Sequence, residues 1–245
     1  MKAAIIIPAR YKSSRFPGKP LAKILGKEMI LRVAEICKKA QNKKNIYVAT
    51  DNRAIKNLVE KNGLNVIMTS SKCKTGTDRV AEASKKINAD IYVNVQGDEP
   101  LINFNDINKI KLAKKKFPNH VICGFTKMLK NEDPKNINLP KVVTNHAGEL
   151  VYISRLPIPG TKDKKLNMKK KYFKQVCIYA FNKKELRHFA KYKKKAILEK
   201  LEDIEILRFF ELGIPIKMIK INKPSIAVDI KSDIEKVERY IKKNE

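Results

Sequence analysis

Apolar and polar positions fall in alternating blocks along the chain. Residues 2–7 (KAAIII) form a near-continuous apolar run, as a strand covered on both faces requires, and Pro8-Ala9-Arg10 lead it into a loop. A polar, glycine-containing stretch follows, KSSRFPGKPLAKILGK, and apolar residues then recur at helical spacing from about Met29 to Ala40. NIYVAT (45–50) predicts the next strand. In DNRAIKNLVEKNG, Asp51 is placed to cap a helix and Gly63 to stop it. NVIMT predicts a third strand, and TGTDRVAEASKKI a helix from about Thr77. ADIYVNVQGDEP predicts a fourth strand ending in an acidic turn, and DINKIKLAKKKF another helix. Strands and helices alternating at these intervals predict a mainly parallel sheet with helices on both faces.

The second half is less regular. VICGFTKM (121–128) and KVVTNHAGELVYIS (141–154) read as strands, the latter folded at a turn near Ala147-Gly148. The lysine-rich stretch 162–171 reads as a solvent-exposed loop. QVCIYAF predicts a strand and KKELRHFAKY a helix; LEKLEDIEILRFFELG is helix-periodic throughout, IKMIKI is a short strand, and SDIE opens a C-terminal helix. With no repeat and no Pro/Gly-rich linker, the expectation is one α/β domain over residues 1–245, with a small inserted antiparallel region around 140–180.

Charge changes the picture only in part. The formal net charge of +29 raises nucleic acid as a partner, but the basic residues are mostly lysines spread over the whole chain rather than gathered in a tail. A solvated lysine surface that favours small anionic substrates accounts for them. No apolar run is long enough to span a bilayer, and the N-terminal apolar run is too short for a signal peptide. Cys37, Cys73, Cys123 and Cys177 lie far apart without a C-x-x-C pair, so four reduced thiols in a cytoplasmic protein are expected.

Two constellations carry candidate chemistry. PARYKSSRFPGKP (8–20) puts Arg10, Arg15 and Lys19 in the loop after the first strand, with Ser13, Ser14 and Gly18 permitting tight turns. Guanidinium forks and a mobile ammonium together suit a triphosphate, although the stretch matches neither common glycine-rich phosphate motif and also reads as a basic surface loop. VNVQGDEP (93–100) delivers Asp98 and Glu99 to the end of a strand, and Asp229 in IAVDIKSD stands at a comparable junction. Paired hard carboxylates suit Mg²⁺; helix capping or a solvated turn is the alternative. The three histidines, His120, His146 and His188, share no metal or nucleophile motif.

The stretches IIIPARYKSSRFPGKPLAKILGKEMI, YVATDN, TGTDRVAEA, VNVQGDEPLI, KVVTN…GELVYISRLPIP, IYAFNKKEL, LEKLEDIEILR and VDIKSDIEKV occur in this order from about residue 3 to 241. Together they resemble the 3-deoxy-D-manno-octulosonate (Kdo) cytidylyltransferases, the CMP-Kdo synthetases. The resemblance implies a Rossmann-like nucleotidyltransferase fold and a Mg²⁺-dependent homodimer with VVTN…GELVYISRLPIP in its interface. It implies transfer of CMP from CTP to the anomeric hydroxyl of a 3-deoxy-ulosonic acid, with release of pyrophosphate, for lipopolysaccharide or capsule synthesis. By the same resemblance Arg10 and Lys19, helped by Arg15, would hold the CTP phosphates. Thr75, Gly76, Thr77, Asp78 and Arg79 would border the nucleotide, and Asp98 and Asp229 would hold Mg²⁺. Gln96, Arg155, Tyr179 and Glu205 would face the sugar acid.

Two positions depart from the pattern. The family usually has a sugar-facing histidine in H-x-G-I-Y, where this chain has Gln175-Val176-Cys177-Ile178-Tyr179. SIAVD replaces a glycine-containing run before the second carboxylate, through Ser225 and Ala227. Glutamine is always neutral and offers a donor and an acceptor together, which keeps an 8-amino analogue of Kdo or another acidic sugar open as acceptor. A sugar-1-phosphate nucleotidyltransferase is a second reading within the class. A basic nucleic-acid-binding protein is the rival outside it, and the patterned acidic segments disfavour it.

Overall fold

Seven consecutive buried residues, AAIIIPA, form β1 (Ala3–Ala9) near the middle of the sheet in the computed structural model. The strand runs through Pro8, two residues beyond the apolar run that predicted it. The structure describes residues 1–13, 15–129, 131–160, 162, 172–192, 194–222 and 226–244. Ser14, Ser225 and the lysine-rich stretch from residue 163 lie outside them.

After β1 come a small hairpin, β2 (Lys23–Ile24) and β3 (Lys27–Glu28), and α1 (Met29–Ala40). Next are β4 (Ile46–Thr50), α2 (Arg53–Lys61), β5 (Asn65–Met68), α3 (Gly76–Ser84), β6 (Ile91–Val95) and α4 (Phe104–Lys116). β7 (Val121–Lys127) precedes the β8 (Lys141–Thr144) and β9 (Leu150–Ser154) hairpin, and β10 (Phe173–Phe181) follows. The chain closes with α5 (Lys183–Lys191), α6 (Ile197–Glu202), α7 (Leu207–Glu211), β11 (Ile216–Lys220) and α8 (Asp233–Asn244).

The sheet order is β11-β7-β10-β6-β1-β4-β5, with β8 added beside β10 and β9 beside β8. β6, β1, β4 and β5 are mutually parallel, whereas β10 runs antiparallel between β6 and β7. The expected α/β architecture with a small antiparallel addition is therefore present. One apolar cluster packs α1, α2 and α4 on one face, around Ile5, Ile7, Val33, Val93 and Ile110. A second packs α3, α5 and α7 on the other, around Ile6, Val80, Tyr92, Phe189 and Phe209. A satellite cluster ties α8, through Val237 and Ile241, to Ile24, Met29 and Val228.

Two local expectations are corrected. Asn52, not Asp51, caps α2: its side chain accepts from the Ile55 N–H at 3.1 Å, while Asp51 accepts from Arg79 at 3.3 Å. The helix-periodic 198–213 stretch breaks into α6 and α7 at Asp203, whose φ is 49°. Arg155 satisfies the carbonyls at the break: its guanidinium donates to Glu202 O at 2.5 Å and Asp203 O at 3.0 Å and so supplies donor partners outside the helix.

Candidate functional site

Parallel strands deliver their following loops to one edge of the sheet, and that edge is where the sequence-derived residues gather. Arg10 leaves β1 exposed to solvent, and the loop after it folds back on itself: Gly18, at φ 70°, donates its N–H to the Tyr11 carbonyl at 2.9 Å. A residue bearing a Cβ would be strained in that left-handed turn. The turn starts the short helical turn Lys19–Leu21 and aims Lys19 across the edge.

The turn after β6 approaches from the neighbouring strand. Gly97 makes this possible, since a Cβ there would lie 2.9 Å from the Pro8 carbonyl oxygen at the end of β1. Asp98 then accepts from the Lys19 ammonium at 2.5 Å, and the same ammonium donates to the Val228 carbonyl at 2.8 Å. The Val228 N–H donates to the Asp98 carbonyl at 2.9 Å, which ties the segment before α8 to the β6 turn. Asp229 follows at once and accepts from Arg15 at 3.2 Å. Four predicted residues more than two hundred positions apart at their extremes thus form one charged cluster: Arg15, Lys19, Asp98 and Asp229.

The same β6 turn faces a second group through Gln96. Its amide donates to Glu205 Oε1 at 3.0 Å, and the other Glu205 oxygen accepts from the Thr77 N–H at 2.9 Å. Glu205 therefore meets the positive end of α3, where unpaired amides favour an anion. Burial nonetheless pushes its carboxyl above the ordinary range, against the pull of the Thr77 backbone bond. α3 itself starts in a reciprocal cap: Thr75 Oγ1 accepts from the Asp78 N–H at 3.1 Å and Asp78 accepts from the Thr75 N–H at 2.9 Å. Gly76 lies against the Gln96 amide so closely that a Cβ would come within 2.8 Å of it.

On the adjacent antiparallel strand, Gln175 donates to the Tyr179 hydroxyl at 3.1 Å, both side chains being buried. Burial raises the Tyr179 hydroxyl well above its usual range. A register shift in β10 between Val176 and Tyr179, where it pairs with β7, accompanies this approach.

Two predicted side chains are committed elsewhere. Arg79 is buried and donates to Thr69 and Asp51, so its guanidinium supports the start of α3 from the sheet side and is turned away from the edge. Arg155 spends its guanidinium on the carbonyls of Ile137, Glu202 and Asp203. The sequence reading missed Arg208, which donates to both Glu199 oxygens at 2.7 Å and to Asp78 at 2.8 Å. It stands three residues after Glu205 in the same LEDIEILR stretch, but no local spacing announces its partners. It also missed the Val228 carbonyl, a backbone group that no residue type marks.

The oxygens around Lys19 suit a hard divalent cation, since Asp98 and the Val228 carbonyl already hold an ammonium between them and Asp229 adjoins. Among the described residues no group of three or more His, Cys, Asp or Glu side chains is placed to hold a metal. Two carboxylates, with phosphate oxygens and water completing the shell, match the way Mg²⁺ is ordinarily held at nucleotide sites.

An open α/β sheet with cationic loop, paired carboxylates and capped helix at one edge has the architecture of the nucleotidyltransferases. The cytidylyltransferase family model matches residues 4–221, and the chain belongs to that family. The 3-deoxy-manno-octulosonate cytidylyltransferase of Escherichia coli is 35% identical over 236 residues, covering 96% of this chain and 94% of that protein. The mitochondrial enzyme of that name from Arabidopsis thaliana is 39% identical over 239 residues, covering 97% and 82%. A solved structure of CMP:2-keto-3-deoxy-manno-octonic acid synthetase complexed with CTP matches at TM-score 0.90 and 34% identity, covering 100% of both chains. The 4-diphosphocytidyl-2C-methyl-D-erythritol synthase of Anaerococcus prevotii shares the fold at TM-score 0.62 and 16% identity, over 98% of this chain and 97% of that one.

Proposed function

We propose that this chain transfers CMP from CTP to the anomeric hydroxyl of 3-deoxy-manno-octulosonate and releases pyrophosphate. The observation that carries the reading is the convergence of Lys19 and Arg15 with Asp98 and Asp229 beside the β6 turn, whose Gln96 also reaches Glu205. Arg10, Arg15 and Lys19 bind the phosphates of CTP. Thr75, Gly76, Thr77 and Asp78 border the nucleotide, with Arg79 beneath them. Gln96, Gln175, Tyr179 and Glu205 receive the sugar acid, and Arg155 holds the loop around it.

In the reaction the acceptor oxygen bonds to the α-phosphorus as the bridge to the β-phosphate breaks, and the hydroxyl proton is lost to solvent. Fixed cations offset the charge growing on pyrophosphate, and alignment of the two substrates supplies much of the acceleration. Asp98 and Asp229 would hold Mg²⁺, which, when bound, supplies polarisation of phosphoryl oxygens and charge neutralisation.

We also propose a homodimer built on β9 and α6. These elements are joined by Ser154 and Arg155 bonds to Glu202, at 2.7 and 2.8 Å, and they expose Val151, Ile197 and Leu201. Leu201 is 76% exposed and Ile197 72%, and they stand on an element bonded to the strand that exposes Val151, which is the grouping a partner surface would cover. Free thiols at all four cysteines support a reducing, cytoplasmic setting. Among the described residues no helix is long and apolar enough to cross a membrane.

The deciding experiment is pyrophosphate release from CTP with Kdo, its 8-amino analogue and a set of sugar 1-phosphates, each with Mg²⁺ and with chelator. Turnover with a 3-deoxy-ulosonic acid that chelator abolishes is expected. Turnover with sugar 1-phosphates alone would reassign the acceptor, and turnover insensitive to chelator would remove the metal.

A further inference from the structure

Asp229 lies outside regular structure, in a segment where a carboxylate would ordinarily sample many orientations. Here the backbone that carries it is restrained. Asp233 Oδ2 accepts from the Asp229 N–H at 3.0 Å and from the Ile230 N–H at 3.1 Å. Those two amides flank the Asp229 Cα, one on its φ bond and one beyond its ψ bond. Holding both on a single oxygen restrains both rotations and so sets the direction in which the Asp229 Cα–Cβ bond leaves the backbone.

Asp233 is itself well anchored. It is 9% exposed, its second oxygen accepts from Lys236 at 2.7 Å, and its N–H donates to the Ile230 carbonyl at 3.0 Å. It opens α8 and reaches back to the amide three residues earlier, as the returning arm of a capping box does. α8 in turn packs through Val237 and Ile241 against Ile24, Met29 and Val228, with Phe16 of the phosphate-side loop beside them. Glu238 of the same helix accepts from the Leu25 N–H at 2.8 Å. The helix is thus fastened to the β2–β3 hairpin that continues the loop bearing Lys19.

We propose that Asp233 is a positioning residue that transmits the placement of α8 to Asp229, holding the second carboxylate where a divalent cation needs it. The proposal rests on the reading of Asp229 as a metal-holding residue. Partners that orient metal-binding groups commonly contribute roughly 10- to 100-fold in metal affinity when removed.

The test uses the full chain with CTP and no acceptor, so that nothing turns over, and Mn²⁺ as the probe followed by paramagnetic resonance. Asp233→Ala should weaken Mn²⁺ binding by about tenfold or more. Asp233→Asn keeps an acceptor oxygen and should stay close to the unmodified chain. Asn182→Ala removes the cap of α5, where Asn182 accepts from the Glu185 N–H at 2.8 Å, and should leave Mn²⁺ binding unchanged although a cap is lost. Amide hydrogen exchange at Asp229 and Ile230 should quicken in Asp233→Ala alone. If Asp233→Ala does not fold, Asp233→Ser, shorter by one atom, makes the same comparison. Undiminished Mn²⁺ affinity in the folded variant, while Asp229→Asn loses it, would overturn the positioning role. Undiminished affinity in Asp229→Asn would instead remove the metal reading beneath it.

Discussion

Lys19 illustrates how one residue serves two partners. Its ammonium bridges Asp98 and the Val228 carbonyl, and it belongs to the loop proposed above to hold the CTP phosphates. Lys19→Ala should therefore raise KM for CTP and lower kcat/KM by about 100-fold, equivalent to roughly 2.7 kcal/mol of transition-state stabilisation. Steady-state kinetics over a CTP series check this. Asp98→Asn and Asp229→Asn should each lower turnover by about 100-fold or more with the fold intact, because each removes a negative oxygen ligand. Near-normal turnover in either folded variant would take that carboxylate out of the site.

Glu205 gives a pH signature. Its folded value is raised by burial, so the native state holds its proton to higher pH than the unfolded chain does. Nothing is lost below the ordinary glutamate value of about 4.3. Stability then falls as pH rises from there to the raised folded value, and levels off above it. Glu205→Gln removes the titration. The unfolding free energy of the unmodified chain minus that of Glu205→Gln, from urea titrations between about pH 3.5 and 7.5, should decline across that window. A difference independent of pH would show that burial of this carboxyl carries no penalty.

At the scale of elements, α3 and the β6 turn meet at Gly76. A Cβ there would stand 2.8 Å from Gln96 Nε2 and 3.0 Å from Oε1, so the amide must swing away and its bond to Glu205 must lengthen. Gly76→Ala should cost about 1 kcal/mol in that bond, partly offset by the better helix propensity of alanine. Its clearest effect should be a higher KM for the sugar acid with less change for CTP, measured by varying each substrate in turn. Equal effects on both would mean that Gly76 serves only to let α3 start. On β10, Gln175 donates from its amide to the Tyr179 hydroxyl and to Cys123 Sγ, and its carbonyl is a neutral acceptor where histidine would titrate. Gln175→His should shift the kcat/KM ratio of Kdo over its 8-amino analogue toward Kdo. An unchanged ratio with both substrates still turning over would make the glutamine neutral variation.

The whole molecule carries a large positive charge and, around β9 and α6, exposed aliphatic side chains. Lysines keep the surface hydrated and favour anionic substrates, whereas aliphatics seek a partner surface. A two-fold interface presents the same patch from each copy. Light scattering across a dilution series should give about twice the 28.1 kDa chain mass, and Leu201→Asp should shift it toward the monomer. A monomer at all working concentrations would end the dimer assignment and leave the chemistry standing.

Local pattern determined much of this protein. The helix Met29–Ala40 follows the expected limits because its apolar stripe reports directly which face is buried. Lys19, Asp98 and Asp229 were legible as candidates because loops after parallel strands converge on one edge. What pattern does not carry is the identity of the neighbour. The side chain of Asp51 looks like a cap, yet Asn52 caps the helix while Arg79, twenty-eight residues away in the chain, takes the aspartate. Periodicity runs unbroken through 198–213, yet the helix breaks at Asp203, where Arg155 from beyond β9 takes the carbonyls of Glu202 and Asp203, and Glu205 past the break accepts from the Thr77 N–H of α3. The position of β10 between β6 and β7, which sets Gln175 and Tyr179 beside the strand that leads into Gln96, is equally absent from its own alternation. Alternation states which faces must be covered; only the packed chain decides what covers them, because hydrogen bonds and ion pairs between distant segments form after the faces have met.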